Sequence, residues 1–164
     1  MNQITAVERK IFSDYIAFSP TLSAWREAGD TIVFTNGCFD LLHRGHVDLL
    51  AKAADLGNRL IIGINRDDSV RRLKGTGRPF IDEQSRAFLL AALVFVDAVI
   101  FFGNDTPVEL ISAILPDILV KGSDYKIHEI AGHEIVIANG GRAETIQIVE
   151  GFSTTTLFTK IKNS

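Results

Sequence analysis

The chain holds one cysteine, Cys38, so no disulfide can form within it and the fold must stand on packing alone. That fits a reducing compartment. Long apolar runs are also missing. The longest, residues 87–96, falls well short of the roughly 20 residues that cross a bilayer. The first ten residues carry Glu8, Arg9 and Lys10 without an apolar stretch, which is not the pattern of a secretory signal. A cytoplasmic protein with no membrane partner is expected, and the Asn104-Asp105-Thr106 glycosylation match is set aside on that ground. A positive field is lacking too. The net charge is −3, which argues against a nucleic-acid partner. There are no repeats, low-complexity tracts or linkers.

What remains is an ordinary globular composition, 46% hydrophobic and 23% charged over 164 residues. A domain of this size buries roughly 70% of its unfolded surface and needs no staple. Charge is uneven in one place. Arg66, Arg71, Arg72, Lys74 and Arg78 fall within thirteen residues that contain only two acids, Asp67 and Asp68. A local basic segment in an acidic chain suits a small anionic ligand.

Apolar, β-branched runs at residues 31–35, 59–65, 98–102, 117–121 and 144–149 read as five buried strands. Helical spacing fills the intervals at 45–56, 82–95, 106–115, 130–139 and 153–162. Strands that are apolar throughout and alternate with helices predict an α/β fold. It is a Rossmann-like, doubly wound, five-stranded parallel sheet with helices on both faces. Residues 1–29 read as a helical extension, broken at Pro20 and stopped at Gly29, ahead of a domain spanning 30–164. Residues 66–81, with Gly75, Gly77 and Pro79, read as a loop.

Ligands of open parallel sheets bind beyond the carboxyl ends of the strands. The first such end runs from Asn36 to His46 and carries His43-Arg44-Gly45-His46 at a helix start. Two histidines three apart share a helical face. There they stand beside free N–H groups and the positive end of the helix dipole, an arrangement suited to phosphate. Gly45 lets a phosphate approach the backbone. Three other readings compete: histidines with no ligand, a metal site completed by Asp40, and a Cys38–His nucleophilic pair. Familiar phosphate motifs fail, because there is no GxxxxGK[ST] and Phe80 stands where a dinucleotide fingerprint beginning at Gly75 needs a glycine.

Residues 35–46, TNGCFDLLHRGH, resemble the HxGH signature of the cytidylyltransferase-like nucleotidyltransferase superfamily. Residues 150–157, EGFSTTTL, resemble its second nucleotide-binding motif. Further stretches, among them Arg72 to Gly75, Val120 to Tyr125 and Ala138 to Gly141, are similar to the bacterial D-glycero-β-D-manno-heptose 1-phosphate adenylyltransferase domain, over about residues 30–162. That domain is often fused to a sugar kinase, so a stand-alone form is expected here. Two departures occur. Gln84-Ser85-Arg86 keeps only the arginine of the usual Glu-Gln-Arg, and Ile148 stands where glycerol-phosphate relatives carry arginine.

The resemblance implies transfer of AMP from ATP to the heptose 1-phosphate of lipopolysaccharide core synthesis, with Mg²⁺ on the ATP phosphates and no side chain on the metal. It implies His43, His46 and Lys74 as catalytic residues. It implies nucleotide binding by Asn36, Gly37, Cys38, Phe39, Asp40, Gly45, Lys121, Gly122, Asp124, Gly151, Ser153, Thr154 and Thr155, and sugar-phosphate binding by Arg78 and Arg86. A homodimer is implied by the same route. The alternatives are the same chemistry on glycerol 3-phosphate or another small phosphate, or a nucleotide sensor without catalysis.

Overall fold

A computed structural model describes residues 2–162; residue 1 and residues 163–164, the outer ends of the two expected segments, lie outside it. The helices are α1 (Gln3–Glu8), α2 (Tyr15–Glu27), α3 (Arg44–Ala54), α4 (Asp67–Lys74), α5 (Glu83–Ala91), α6 (Val108–Ile114), α7 (His133–Ala138) and α8 (Thr154–Lys162). The strands are β1 (Ile11–Phe12), β2 (Ile32–Gly37), β3 (Arg59–Asn65), β4 (Ala98–Phe102), β5 (Ile118–Gly122) and β6 (Arg142–Ile146). They form one sheet in the order β1-β4-β3-β2-β5-β6, and every pairing is parallel.

Successive strand residues feed opposite faces. Val33, Leu60, Ile62, Val99 and Val120 pack with Leu50 of α3 and Leu90 of α5. Ile32, Phe34, Ile61, Ile100 and Leu119 pack with Phe18 of α2, Ile111 of α6 and Val136 of α7. Helices therefore cover both faces, which is why the inner strands β2 to β5 are largely apolar. At the amino edge, side chains occupy strand amides: Asp117 accepts from Ile32 N at 2.7 Å and Asp97 from Leu60 N at 2.8 Å. The winding reverses between β2 and β5, and that crevice at the carboxyl edge is where a ligand fits.

Five expectations are corrected. The last strand runs over Arg142–Ile146 rather than 144–149, because Arg142 already pairs beside Ile118. The sheet has six strands, not five, because Ile11 and Phe12 pair with Val99 and Ile100 inside a segment read as helical. Pro20 does not break α2. The carbonyl that loses its partner, Ile16 O, accepts instead from Ser19 Oγ at 3.0 Å. Residues 66–81 are not all loop, since α4 fills their first half. Its hydrophilic sequence (DDSVRRLK) hides it from a search for apolar runs. The helix expected from residue 130 begins at His133, because Ile130 is extended and Gly132 takes φ +84°.

The α7–β6 corner depends on close backbone approach at Gly141. A Cβ there would lie 2.7 Å from Asp117 O and 3.0 Å from Pro116 O, neither of which can swing aside. Gly141→Ala is expected to destabilise the fold by about 1–3 kcal/mol, read as a lowered urea midpoint at unchanged slope.

Candidate active site

One cavity of about 670 Å³ opens at the carboxyl ends of β2 and β5. Its floor is the chain leaving β2. Phe39 takes φ +47° and drops its ring into the core, which turns the backbone sharply under the cavity. Asn36 lies on the wall with its Oδ1 buried and unpaired among the described residues. An orphaned acceptor of that kind waits for a donor, from ligand or water.

His43 is the N-cap of α3, and its Nδ1 accepts from His46 N at 3.4 Å. With Nδ1 as acceptor, the neutral ring carries its proton on Nε2. The two imidazoles stack with centroids 3.8 Å apart, and the His46 ring also meets the Phe39 ring at 5.2 Å. Burial first, then the charges of His43 and Lys74, push the His46 pKa down to about 4, against a smaller opposing effect of the Leu41 carbonyl. Burial lowers His43 as well. Gly45 sits between the pair and the opposite wall. A Cβ there would stand 3.1 Å from the His43 ring and 3.2 Å from Phe152 Cβ.

The facing wall is the start of α8, where Ser153 Oγ caps the helix by accepting from Thr156 N at 3.0 Å. Thr154 and Thr155 follow on the cavity side. Two helix N-termini, α3 and α8, thus open onto one space, each with unpaired N–H groups and positive partial charge. Lys121 reaches in from β5, donating from Nζ to Asn36 O at 2.8 Å above the Tyr125 ring. Burial lowers its ammonium to about 8. Gly122 leaves room beside it, since a Cβ would fall 2.6 Å from Asp124 Oδ1. Lys74 hangs over the rim from the end of α4.

The cavity therefore gathers Asn36, Gly37, Cys38, Phe39, Asp40, His43, Gly45, His46, Lys74, Lys121, Gly122, Asp124, Ser153, Thr154 and Thr155. Gly151, at φ +82°, shapes the turn ahead of α8 and is not on the lining. Arg78 and Arg86, expected to hold the sugar phosphate or close the loop, are not on the lining either. Arg78 pairs with the Asp40 carboxylate and lies over the Phe80 ring. Arg86 is 1% exposed, with its guanidinium consumed by protein acceptors.

Cys38 Sγ donates to Asn65 Oδ1 at 3.8 Å, and burial pushes the thiol pKa up, so no Cys–His nucleophile is built. Among the described residues no group of three His, Cys, Asp or Glu side chains could hold a metal. The Asp40 carboxylate is taken by Arg78 and by the amides of Phe80 and Ile81.

Sequence reasoning missed Asn65, Leu73, Asp105, Thr106, Tyr125 and Phe152 on the lining. Asn65 had a signal, being a polar residue that ends an apolar strand at the carboxyl edge. The others belong to loops and helix ends that only tertiary folding brings to the cavity. Among the described residues no helix is long and apolar enough to cross a membrane.

Comparison with known proteins gives a consistent result. A family model described as cytidylyltransferase-like matches residues 34–158. The bifunctional protein HldE of Nitrobacter hamburgensis is 52% identical over 152 residues, covering 93% of this chain and 31% of that protein. HldE of Citrifermentans bemidjiense is 55% identical over 136 residues, 83% of this chain and 28% of that protein. The chain thus spans about a third of the length of these relatives. The crystal structure of the lipopolysaccharide core biosynthesis protein from Thermoplasma volcanium GSS1 superposes with a TM-score of 0.60 at 30% identity, covering 74% of this chain and 98% of that one.

Proposed function

Because the chain belongs to the cytidylyltransferase-like family, we propose that it is an adenylyltransferase that joins AMP from ATP to D-glycero-β-D-manno-heptose 1-phosphate, forming ADP-heptose and pyrophosphate in the cytoplasm. One observation carries the reading: the stacked His43–His46 pair at the start of α3 and the Ser153 start of α8 face the same cavity. The choice of heptose phosphate draws on the similarity to HldE and to a lipopolysaccharide core biosynthesis protein.

The reaction is an in-line displacement. An oxygen of the sugar phosphate attacks the α-phosphorus of ATP, the new P–O bond forms, and the bond to pyrophosphate breaks. A phosphate monoester is already anionic near neutral pH, so no strong base is required. The work is to hold two anions together and to stabilise charge on the phosphorus and leaving group. His43 and His46, neutral at pH 7, donate from imidazole N–H, and the N–H groups opening α3 and α8 add to this. Lys74 brings a full charge from the rim. Lys121 and the peptide at Gly122 hold the nucleotide from the β5 side. Among the described residues no side-chain cluster is present to hold Mg²⁺, so it would ride on the nucleotide's phosphates and would supply charge compensation there.

The test is a panel of nucleoside triphosphates against sugar 1-phosphates and glycerol 3-phosphate, read by pyrophosphate release. ATP with the heptose 1-phosphate should be the preferred pair, and chelating Mg²⁺ should abolish release. Preference for glycerol 3-phosphate would overturn the acceptor assignment, and ATP binding without pyrophosphate would make the chain a sensor. Ile148 disfavours glycerol phosphate, because it puts an apolar side chain on the lining where relatives using that acceptor carry arginine.

A further inference from the structure

Arg86 is the bulkiest of the fully buried side chains described, yet it is not on the lining of the candidate active site. It occupies the apolar face of α5 together with Ala87, Leu90 and Ala91. A guanidinium placed there is costly unless its donors are matched. Four of its five N–H donors are matched, by three stretches of chain. Nε donates to Ile81 O at 3.0 Å, Nη1 to Cys38 O, and Nη2 to Asn65 O at 2.9 Å and Asp67 Oδ1 at 2.7 Å.

These acceptors are not scattered. Asn65 and Asp67 stand where the chain leaves β3 and enters α4, and Ile81 is where the same chain returns to α5. Residues 66–81 form a strap that carries Lys74 over the rim, and both of its roots are tied to one guanidinium. The third tie, at Cys38, is the cavity floor. Glu83 reinforces the outgoing root, accepting from Asp67 N at 2.7 Å and from Arg66 Nη1 at 3.0 Å. Between the roots the strap turns on Gly75, at φ +95°, with Gly77 close by. The strap is also held between its roots, by Arg72 on Asp105 and Gly103 O, by the buried Ser69 and Val70, and by Asp40 on Arg78 and Phe80 N, but Arg86 is the tie shared by both roots.

We propose that Arg86 is a positioning residue for Lys74, fixing both roots of the 66–81 strap against the end of β2 so that the Lys74 ammonium stands over the phosphates. This rests on reading the cavity as a triphosphate site. Arg86 itself never contacts a substrate.

A double-mutant cycle tests it. Arg86→Lys keeps the charge but cannot reach four acceptors at once. Alone, it should lower kcat for pyrophosphate release by about 10- to 100-fold, the scale of a displaced reacting group. KM for the sugar phosphate should move by less than about threefold. In a Lys74→Ala background the same change should cost less than about threefold, because the group it positions is gone. Equal losses in both backgrounds, or a raised acceptor KM at unchanged kcat, would overturn the proposal.

Should Arg86→Lys fail to fold, judged by thermal unfolding and near-ultraviolet dichroism, Asp67→Asn carries the cycle. It loosens one root and leaves the core arginine in place. Titration calorimetry of MgATP runs the same cycle without any acceptor, and Arg86→Lys should weaken binding only where Lys74 is present. If the wild type binds MgATP but releases no pyrophosphate with any acceptor, the functional reading falls and the affinity cycle still decides Arg86. If it binds no MgATP, both fall.

Discussion

His46→Ala is expected to lower pyrophosphate release by roughly 10²–10³-fold, the cost of removing one preorganised donor from a charge-stabilising site. The ring is fixed from two sides, stacked on His43 at 3.8 Å and against the edge of Phe39 at 5.2 Å. Its Nδ1 is buried and unpaired among the described residues. A donor held this firmly costs no reorganisation during reaction. His46→Gln, with an amide N–H of similar reach, should recover part of the loss. Turnover within about threefold of wild type in the alanine variant would remove His46 from the mechanism.

The same residue ties stability to pH. Its pKa is depressed from 6.5 to about 4 in the fold, so the unfolded chain binds the extra proton between those values. This contribution to stability is fully present above pH 6.5 and is lost as pH falls through 4. In urea titrations over that range, the wild type should weaken more steeply than His46→Ala. Parallel curves would contradict the buried neutral imidazole.

Asp40→Ala should be the most damaging single change to stability near the site, at about 3–5 kcal/mol. The carboxylate is 2% exposed and accepts from Phe80 N at 2.6 Å, from Ile81 N at 3.2 Å and from Arg78. Its removal strands two amides and a partly buried guanidinium together. Arg78 can turn to water, which favours the lower end of the range. Asp40→Asn retains an oxygen for one amide and should fall between the two. A urea midpoint that implies a loss under about 1 kcal/mol would mean that Phe80 and Ile81 find other acceptors.

Much of this was legible in the sequence, for identifiable reasons. The four inner strands, β2 to β5, announce themselves because a sheet covered on both faces leaves few polar residues to interrupt their runs, whereas the edge strand β6 carries Arg142 and Glu144 and only its last three residues fall in an expected run. The sixth, β1, is two residues long and carries no periodicity to read. The α4 helix was missed because Val70 and Leu73 are its only apolar residues. The histidine pair and Gly45 could be found because phosphate chemistry concentrates at helix N-termini, whereas the Ser-Thr-Thr start of α8 was found through the family resemblance.

Arg86 could not be read as a substrate ligand or as a structural tie from charge alone. Its spacing gave the hint: it lies four residues before Leu90 on the buried face of α5. Asp40 illustrates the same limit. Its partners are some forty residues away in sequence, and no local pattern specifies that pairing.

The two borders of the sheet are guarded by different devices. On the β6 side, Arg142 and Glu144 put charge along the open row of amides and carbonyls. On the β4 side, the guard is the two-residue strand β1, laid over Val99 and Ile100. Charge travels with the strand that bears it, whereas a laid-on ribbon can be peeled away. Lifting residues 11–12 from Val99 and Ile100 would bare an aliphatic strand edge suited to self-adhesion.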